Sequence, residues 1–384
     1  MKLEQKMWTQ NDGWKTIKSS LENAEPQLVL VFGGRVEVTT PHHFDTLREW
    51  YPNARIVAAS TAGEITDTMV RDNSLSVCAI HFEKTQLSFE SGTIPKEDDG
   101  EEMGATLAAQ LKKEDLLHVL VFSDGLEING TSLVKGILKN IPPTVTITGG
   151  LVGDGPDFTE TVVGLDEIPK SRNIVLIGLY GSNIQIGYGS LGGWDSFGPI
   201  RLVTRSEKNV LYELDDKPAL ALYKQYLGER AADLPSSGLL FPLKVQLEHD
   251  NESTEVVRTL LYVDEEQQSL IFAGDIPQGS KVTLMKANFE RLVDGAAGAA
   301  DMSKVGLQGM DPDLLLLVSC VGRKLVFKER IEDETEAVKE TIGSGDHTYI
   351  TGFYSYGEIS PVSPTEKQCR LHNQTMTITA FKET

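Results

Sequence analysis

Three short stretches of the chain are apolar at nearly every position: LVLVFGG at 28–34, HVLVFSDG at 118–125 and LLLLVSC at 314–320. Runs this short and continuous predict strands covered on both faces. Each is followed by a segment with helical character, PHHFDTLREWY, NGTSLVKGILKN and GRKLVFKERIEDETEAVKE. The first opens with Pro41 after Thr40, a proline at the first helical position, and the others place apolar residues three and four apart. A second strand-like run then ends in a glycine and an acid: RIVAASTAGE at 55–64, VTITGGLVGD at 145–154 and YITGFYSYGE at 349–358. A third strand candidate closes each set, as LSVCAIHF, NIVLIGLYG and MTITAF. A further helix is expected ahead of each first strand, around residues 13–24, 102–114 and 288–303.

Strand, helix, strand is a right-handed crossover between parallel strands. The pattern predicts an α/β protein built from repeated strand-helix-strand-strand units, with mixed, largely parallel sheets. AGDI at 273–276 echoes the glycine-acid ending but has no helix ahead of it. VVRTLLYVDEEQQSLIFAGDIPQGSKVTLM reads instead as antiparallel hairpins turning at DEEQQ and PQGS, an insert in the second domain. GYGSLGGWDSFGPIRL at 187–202 mixes glycine with aromatics, as an ordered interdomain loop would. The expected domains are residues 1–204 and 205–384, a size at which each buries its own core.

Composition narrows the function. The chain has 56 acids against 36 basic residues, a formal charge of -20 that repels phosphate backbones and anionic lipid. Its densest basic group, Arg323, Lys324, Lys328 and Arg330, alternates with acids as a solvated helix face does. Neither nucleic acid nor membrane is an expected partner. No apolar run reaches the roughly 18 residues of a membrane span, and the first residues lack a signal-like apolar core, so a cytoplasmic protein is expected. Cys78, Cys320 and Cys369 are too few for a disulfide framework and are expected as thiols.

Several of these segments, taken in order, resemble the FIST family. STAGEI at 60–65, SDGLEING at 123–130 and GGLVGD at 149–154 are similar to its N-terminal domain. LYELDDKPALALY at 211–223, SCVGRK at 319–324, GFYSYGEI at 352–359 and LHNQT at 371–375 are similar to its C-terminal domain. Family members often carry a cysteine just before STAGEI; here that place holds Ala59. The resemblance implies an intracellular sensory module for a small ligand, with amino acids proposed, reporting to a separate histidine kinase or other signalling protein. For some stand-alone bacterial members it implies haem and nitric-oxide sensing.

In open α/β sheets ligands sit beyond the carboxyl ends of the strands, where Ser60, Thr61, Gly63, Gly149, Gly150, Gly357 and the acids Glu64, Asp154 and Glu358 all fall. Glycine-rich turns offer N–H donors to an anion, the acids suit an ammonium, and the Arg323 fork suits a carboxylate, which together describe an amino acid. The alternative is that the glycines make tight turns and the acids cap the next element. Tyr354 and Tyr356 share a strand face, as pocket walls or as core.

Cys320 precedes Gly322 and Arg323 at a helix start, where dipole and guanidinium would lower a thiol pKa, so an enzyme with a Cys320 nucleophile is the competing class. A packed thiol is the simpler account. Cys78 and His81 point to opposite strand faces, while Cys369 and His372 lack further ligands nearby for zinc. Haem needs only one neutral histidine in an apolar slot. His372 of the LHNQT segment, beside Asn373, is the first candidate, then His81 and His118; His42 and His43 read as a helix cap and surface.

Overall fold

A computed structural model describes residues 1–95, 100–249, 252–343, 345–363 and 366–384. Three parallel strand pairs form its frame: Leu28–Gly33 with Arg55–Ser60, Leu116–Ser123 with Thr146–Leu151, and Leu314–Cys320 with Tyr349–Ser355. Helices cross between them at Pro41–Trp50, at Gly130–Leu138, and at Val321–Phe327 followed by Glu332–Ile342. Asn129 caps the second of these by accepting from the N–H groups of Thr131 and Ser132. An antiparallel strand flanks the first strand of each pair, at Leu75–His81, Asn173–Tyr180 and Met376–Glu383.

Every other strand pairing among the described residues is antiparallel, so the sheets are mixed but not largely parallel as expected. The extra strands enter as hairpins, which need only a short turn, whereas each parallel neighbour needs a crossover. The segment around 13–24 corrects in the same direction. Trp14, Ile17 and Leu21 mimic helical spacing, yet Gly13–Ser19 is a strand paired with Lys2–Thr9. The stretch at 187–202 is not a loop either: it lies in the strands Ile184–Leu191 and Trp194–Glu207. Its glycines mark close packing, since a Cβ on Gly187 or Gly189 would lie 1.7 Å from the Ser303 carbonyl or 2.1 Å from that of Ala299, on the helix Phe289–Lys304.

Three sheets surround one core. Leu28, Leu30 and Phe32 point inward, as do Leu120 and Phe122, and Leu314, Leu316 and Val318. The intervening residues face outward onto helices: Val29 and Val31, Val119 and Val121, Leu315 and Leu317. Coverage on both faces is why these strands are apolar at every position. At the centre the rings of Phe32, Phe122 and Phe353, one from each sheet, lie 4.7–6.1 Å apart.

Beyond its glycine-acid ending the chain leaves its own sheet. Glu64–Thr66 joins the sheet of Tyr349–Ser355, Gly357–Ser363 joins that of Thr146–Leu151, and Val163–Leu165 joins that of Arg55–Ser60. The exchange is cyclic, from first to third, third to second and second to first. Two of these three sheets therefore combine strands from both sides of residue 205. The fourth sheet, all antiparallel, occupies Trp194–Ala287. In it Lys281–Ala287 pairs with Trp194–Glu207 and Leu243–His249 rather than turning back at PQGS onto Ser269–Phe272. No helix of the described residues is long and apolar enough to cross a membrane.

Truncating the aromatic at the meeting point of the sheets tests this architecture. Phe353→Ala is expected to cost about 3–5 kcal/mol in urea unfolding, with the slope of the transition unchanged.

Candidate functional site

The carboxyl ends of the strand pairs converge. The N–H of Gly153 donates to the Ser60 carbonyl at 3.3 Å, that of Ala62 to Tyr354 at 2.8 Å, that of Tyr354 to Gly63 at 2.8 Å, and that of Tyr356 to Leu151 at 3.0 Å. Each terminal loop is thus tied to both others. Beside this ring opens a cavity of about 700 Å³, lined by Gly34–Val36, Thr61, Ala62, Glu64, Asp72, Asn73, Asp154–Asp157 and the helix residues Val321, Lys324, Leu325 and Lys328 with Glu329.

Lys324 is the central cation. Its Nζ donates to the Ala62 carbonyl at 2.7 Å, pairs with the half-exposed Asp72, and lies 5.8 Å from the Tyr354 ring. Gly63 makes room for it: φ is +143°, and a Cβ there would lie 2.7 Å from Nζ. Arg35 at the rim pairs with Glu160 at 3.2 Å. Of the residues expected from sequence, Thr61, Glu64 and Asp154 line the cavity and Gly63 shapes it.

The buried glutamates of the repeated glycine-acid ending, Glu64 and Glu358, serve the crossovers. Thr61 donates to Glu64 Oε1 at 2.6 Å, while the Ser74 N–H and hydroxyl donate to Oε2 at 3.1 and 2.7 Å. Glu358 repeats the arrangement with Ser355 at 2.6 Å and the Thr375 N–H and hydroxyl at 3.1 and 2.9 Å. Burial outweighs the donors and raises Glu64 to about 8, and Glu358 to about 7 despite the nearby Arg323. Asp154 accepts from the Thr159 and Glu160 N–H groups at 2.8 and 2.9 Å and from the Tyr356 hydroxyl.

Other expected residues are spent on structure. Arg323 is fully buried: its fork donates to Glu334 at 2.9 and 2.7 Å and to the carbonyls of Gly192 and Leu292, and it does not line the cavity. The neighbouring Lys324 reaches the cavity instead. Successive helical positions face about 100° apart, so the motif that contains both residues did not say which one faces in. Ser60 holds the Val162 N–H at 2.9 Å. Gly149, at φ +141°, packs where a Cβ would meet the Val121 carbonyl; Gly150 abuts Val318, and Gly357 abuts Leu371 and Leu151. Tyr354 donates to Glu334, and Tyr356 stacks on Phe158 with centroids 4.4 Å apart. Asn373 donates to the Tyr356 carbonyl at 3.4 Å. Asp72 and Asn73, which follow the strand Met69–Arg71, carried no sequence signal.

Cys320 is packed in the core. It is buried, and desolvation with the nearby Glu358 carboxylate raises its pKa well above the ordinary thiol value, outweighing the helix N–H groups and Arg323. All three cysteines are free and buried. A haem would need an axial ligand, and no histidine, cysteine, methionine or tyrosine lines the large cavity. His372 lies buried in the strand Glu366–His372 with Nε2 3.0 Å from the Ser360 carbonyl, and desolvation lowers it to about 4. His118 sits between the hydroxyls of Thr146 and Thr148, at 2.6 and 2.9 Å. His81 is bonded to the Glu25 carbonyl at 2.7 Å, and His43 packs on Trp8. The lining of the large cavity does not fit haem, and no group of three or more metal-ligating side chains occurs among the described residues.

Adjacent residues on one helix should therefore separate in their effects. Arg323→Ala leaves Glu334 buried without its cation and is expected to cost about 3–5 kcal/mol, while Lys324→Met should change unfolding by less than about 1 kcal/mol. Glu64 gives a pH signature. Its folded pKa lies above the unfolded one, so its contribution is complete below about pH 4.5 and is lost as pH rises toward 8. Urea unfolding of Glu64→Gln against the parent from pH 5 to 8 should shift in favour of Gln by about 2–4 kcal/mol.

The FIST N domain matches residues 27–217 and the FIST C domain residues 219–361. The Methanocaldococcus jannaschii protein MJ1623, described as uncharacterized, is 22% identical over 344 residues, which are 82% of this chain and 62% of that protein. A cyanuric acid hydrolase from A. caulinodans aligns over 94% of this chain and 90% of its own at 8% identity, with a TM-score of 0.34, too low to carry fold or function. The two domain matches together span most of the sequence, and the chain belongs to the FIST family.

Proposed function

We propose that this protein is a sensory module in signal transduction that binds a small zwitterion of the α-amino-acid class without turning it over. The observation that carries this reading is Lys324, held over Gly63 between the Ala62 carbonyl and Asp72 and lining a cavity that also presents Asp154 and Asp157. A ligand carboxylate accepts from Lys324, with Arg35 as a second cation at the rim. A ligand ammonium is met by Asp72, Asp154 or Asp157. The lining favours this class over haem with nitric oxide, because it supplies charges of both signs and no axial ligand. A Cys320-based enzyme gains no support from a buried, protonated thiol.

Signalling requires that the ligand prefer one arrangement of the protein over another. Lys324 bridges the helix Val321–Phe327 to Asp72, beside which Arg71 pairs with Glu332 of the next helix at 2.8 Å. A carboxylate that competes with Asp72 for Lys324 changes the seam between the Glu64–Arg71 hairpin and these helices. A separate protein, a histidine kinase or another signalling partner, reads that seam.

Calorimetry against a panel of amino acids is expected to find at least one that binds, with Lys324→Met weakening it about tenfold or more while the fold is retained. A panel without a binder, or a Lys324→Met protein that binds as the parent does, would remove the basis of this reading.

A further inference from the structure

A second cavity, of about 390 Å³, lies where the fourth sheet meets the rest of the protein. Its floor is apolar, from Val134, Leu138, Leu247 and Leu371, and four cations line it: Lys135, Lys139, Arg258 and Arg370. No carboxylate lines it among the described residues. In a chain of net charge -20 this concentration of positive charge runs against the composition.

Arg258 is the distinctive residue. It is only 3% exposed, yet no carboxylate among the described residues is paired with it. Its donors go to the carbonyls of Asp275, Val257 and Leu371 at 3.0, 3.2 and 3.0 Å. The Asp275 carboxylate accepts from Asn129 at 3.0 Å instead. Gly274 makes space for the guanidinium, since a Cβ there would lie 2.9 Å from Nε. A buried charge without a direct ion pair is costly: burial pulls the pKa down to about 10, and the Asp275 carboxylate, bonded to Asn129, offsets only part of this. At the rim, Lys135 and Lys139 share a single acid, Glu101.

We propose that this cavity binds an amphiphilic anion, a small molecule with a phosphate or carboxylate head for Arg258 and the two lysines and an apolar tail for the leucine and valine floor. The head supplies the ion pair that Arg258 lacks, and the tail covers surface otherwise left wet. The bound molecule touches the helix Gly130–Leu138 and the strand Glu366–His372 on one side and the strands Leu243–His249 and Glu252–Arg258 on the other. It thereby joins the fourth sheet to the second. The proposal does not rest on the amino-acid site.

The test is calorimetry on the whole chain with hexyl phosphate, hexanoate and hexanol as probes. Hexyl phosphate or hexanoate should bind and hexanol should not, and whichever anion binds more tightly identifies the head group. Lys135→Gln with Lys139→Gln, exposed changes that leave the core alone, should weaken binding about tenfold, and Arg258→Met, where it folds, by more. Anions that bind no better than hexanol, or unchanged affinity in the lysine double variant, overturn the proposal. So does loss of binding in Lys324→Met, which would put the probe in the larger cavity.

Discussion

The structure depends on a three-way exchange of strands. Each sheet takes one strand from the unit that precedes it in the cycle, by way of Glu64–Thr66, Val163–Leu165 and Gly357–Ser363. The backbone bonds made by these strands are individually modest, about 1 kcal/mol net. Their larger effect is that each exchanged strand covers what would otherwise be an exposed sheet edge. Because every chain must turn out of its own sheet at the same height, the three turns gather at one end of the core, and the 700 Å³ cavity opens beside them. The site is a by-product of how the sheets are closed.

That origin explains the division of labour among its residues. Glu64 and Glu358 hold hydroxyl and N–H donors on both sides of a crossover, and carry the cost of burial with raised pKa values. Arg323 and Glu334 close a fully buried ion pair that anchors the helix after Cys320. A position away, Lys324 is left to face the cavity, and Gly63 gives it room. Motif residues that look alike in sequence thus divide into those that hold the turns and those that face the cavity.

The frame was legible because burial on both faces leaves an unbroken apolar run, and Leu28–Gly33, Leu116–Ser123 and Leu314–Cys320 are such runs. Where one face is wet, periodicity misled: Gly13–Ser19 carries apolar residues at helical spacing, and only its pairing with Lys2–Thr9 makes it a strand. Gly187 and Gly189 suggested a loop because contact with the helix Phe289–Lys304 is non-local information. The candidate site was legible in part. Thr61, Gly63, Glu64 and Asp154 fall at strand ends, which topology points to, while Arg323 and Lys324 differ only in helical phase. Asp72 reaches Lys324 across 252 residues of sequence, a distance that no local pattern spans.

The same exchange sets an order of assembly. The strand at 357–363 belongs beside 146–151, about two hundred residues earlier, so the second sheet stays incomplete until residues 357–363 have emerged from the ribosome. Contacts of such long sequence separation make folding slow. A fragment cut between the two halves would be left with bare β-margins in both pieces, prone to self-association, which makes this chain a single unit of synthesis however many modules its sequence spells.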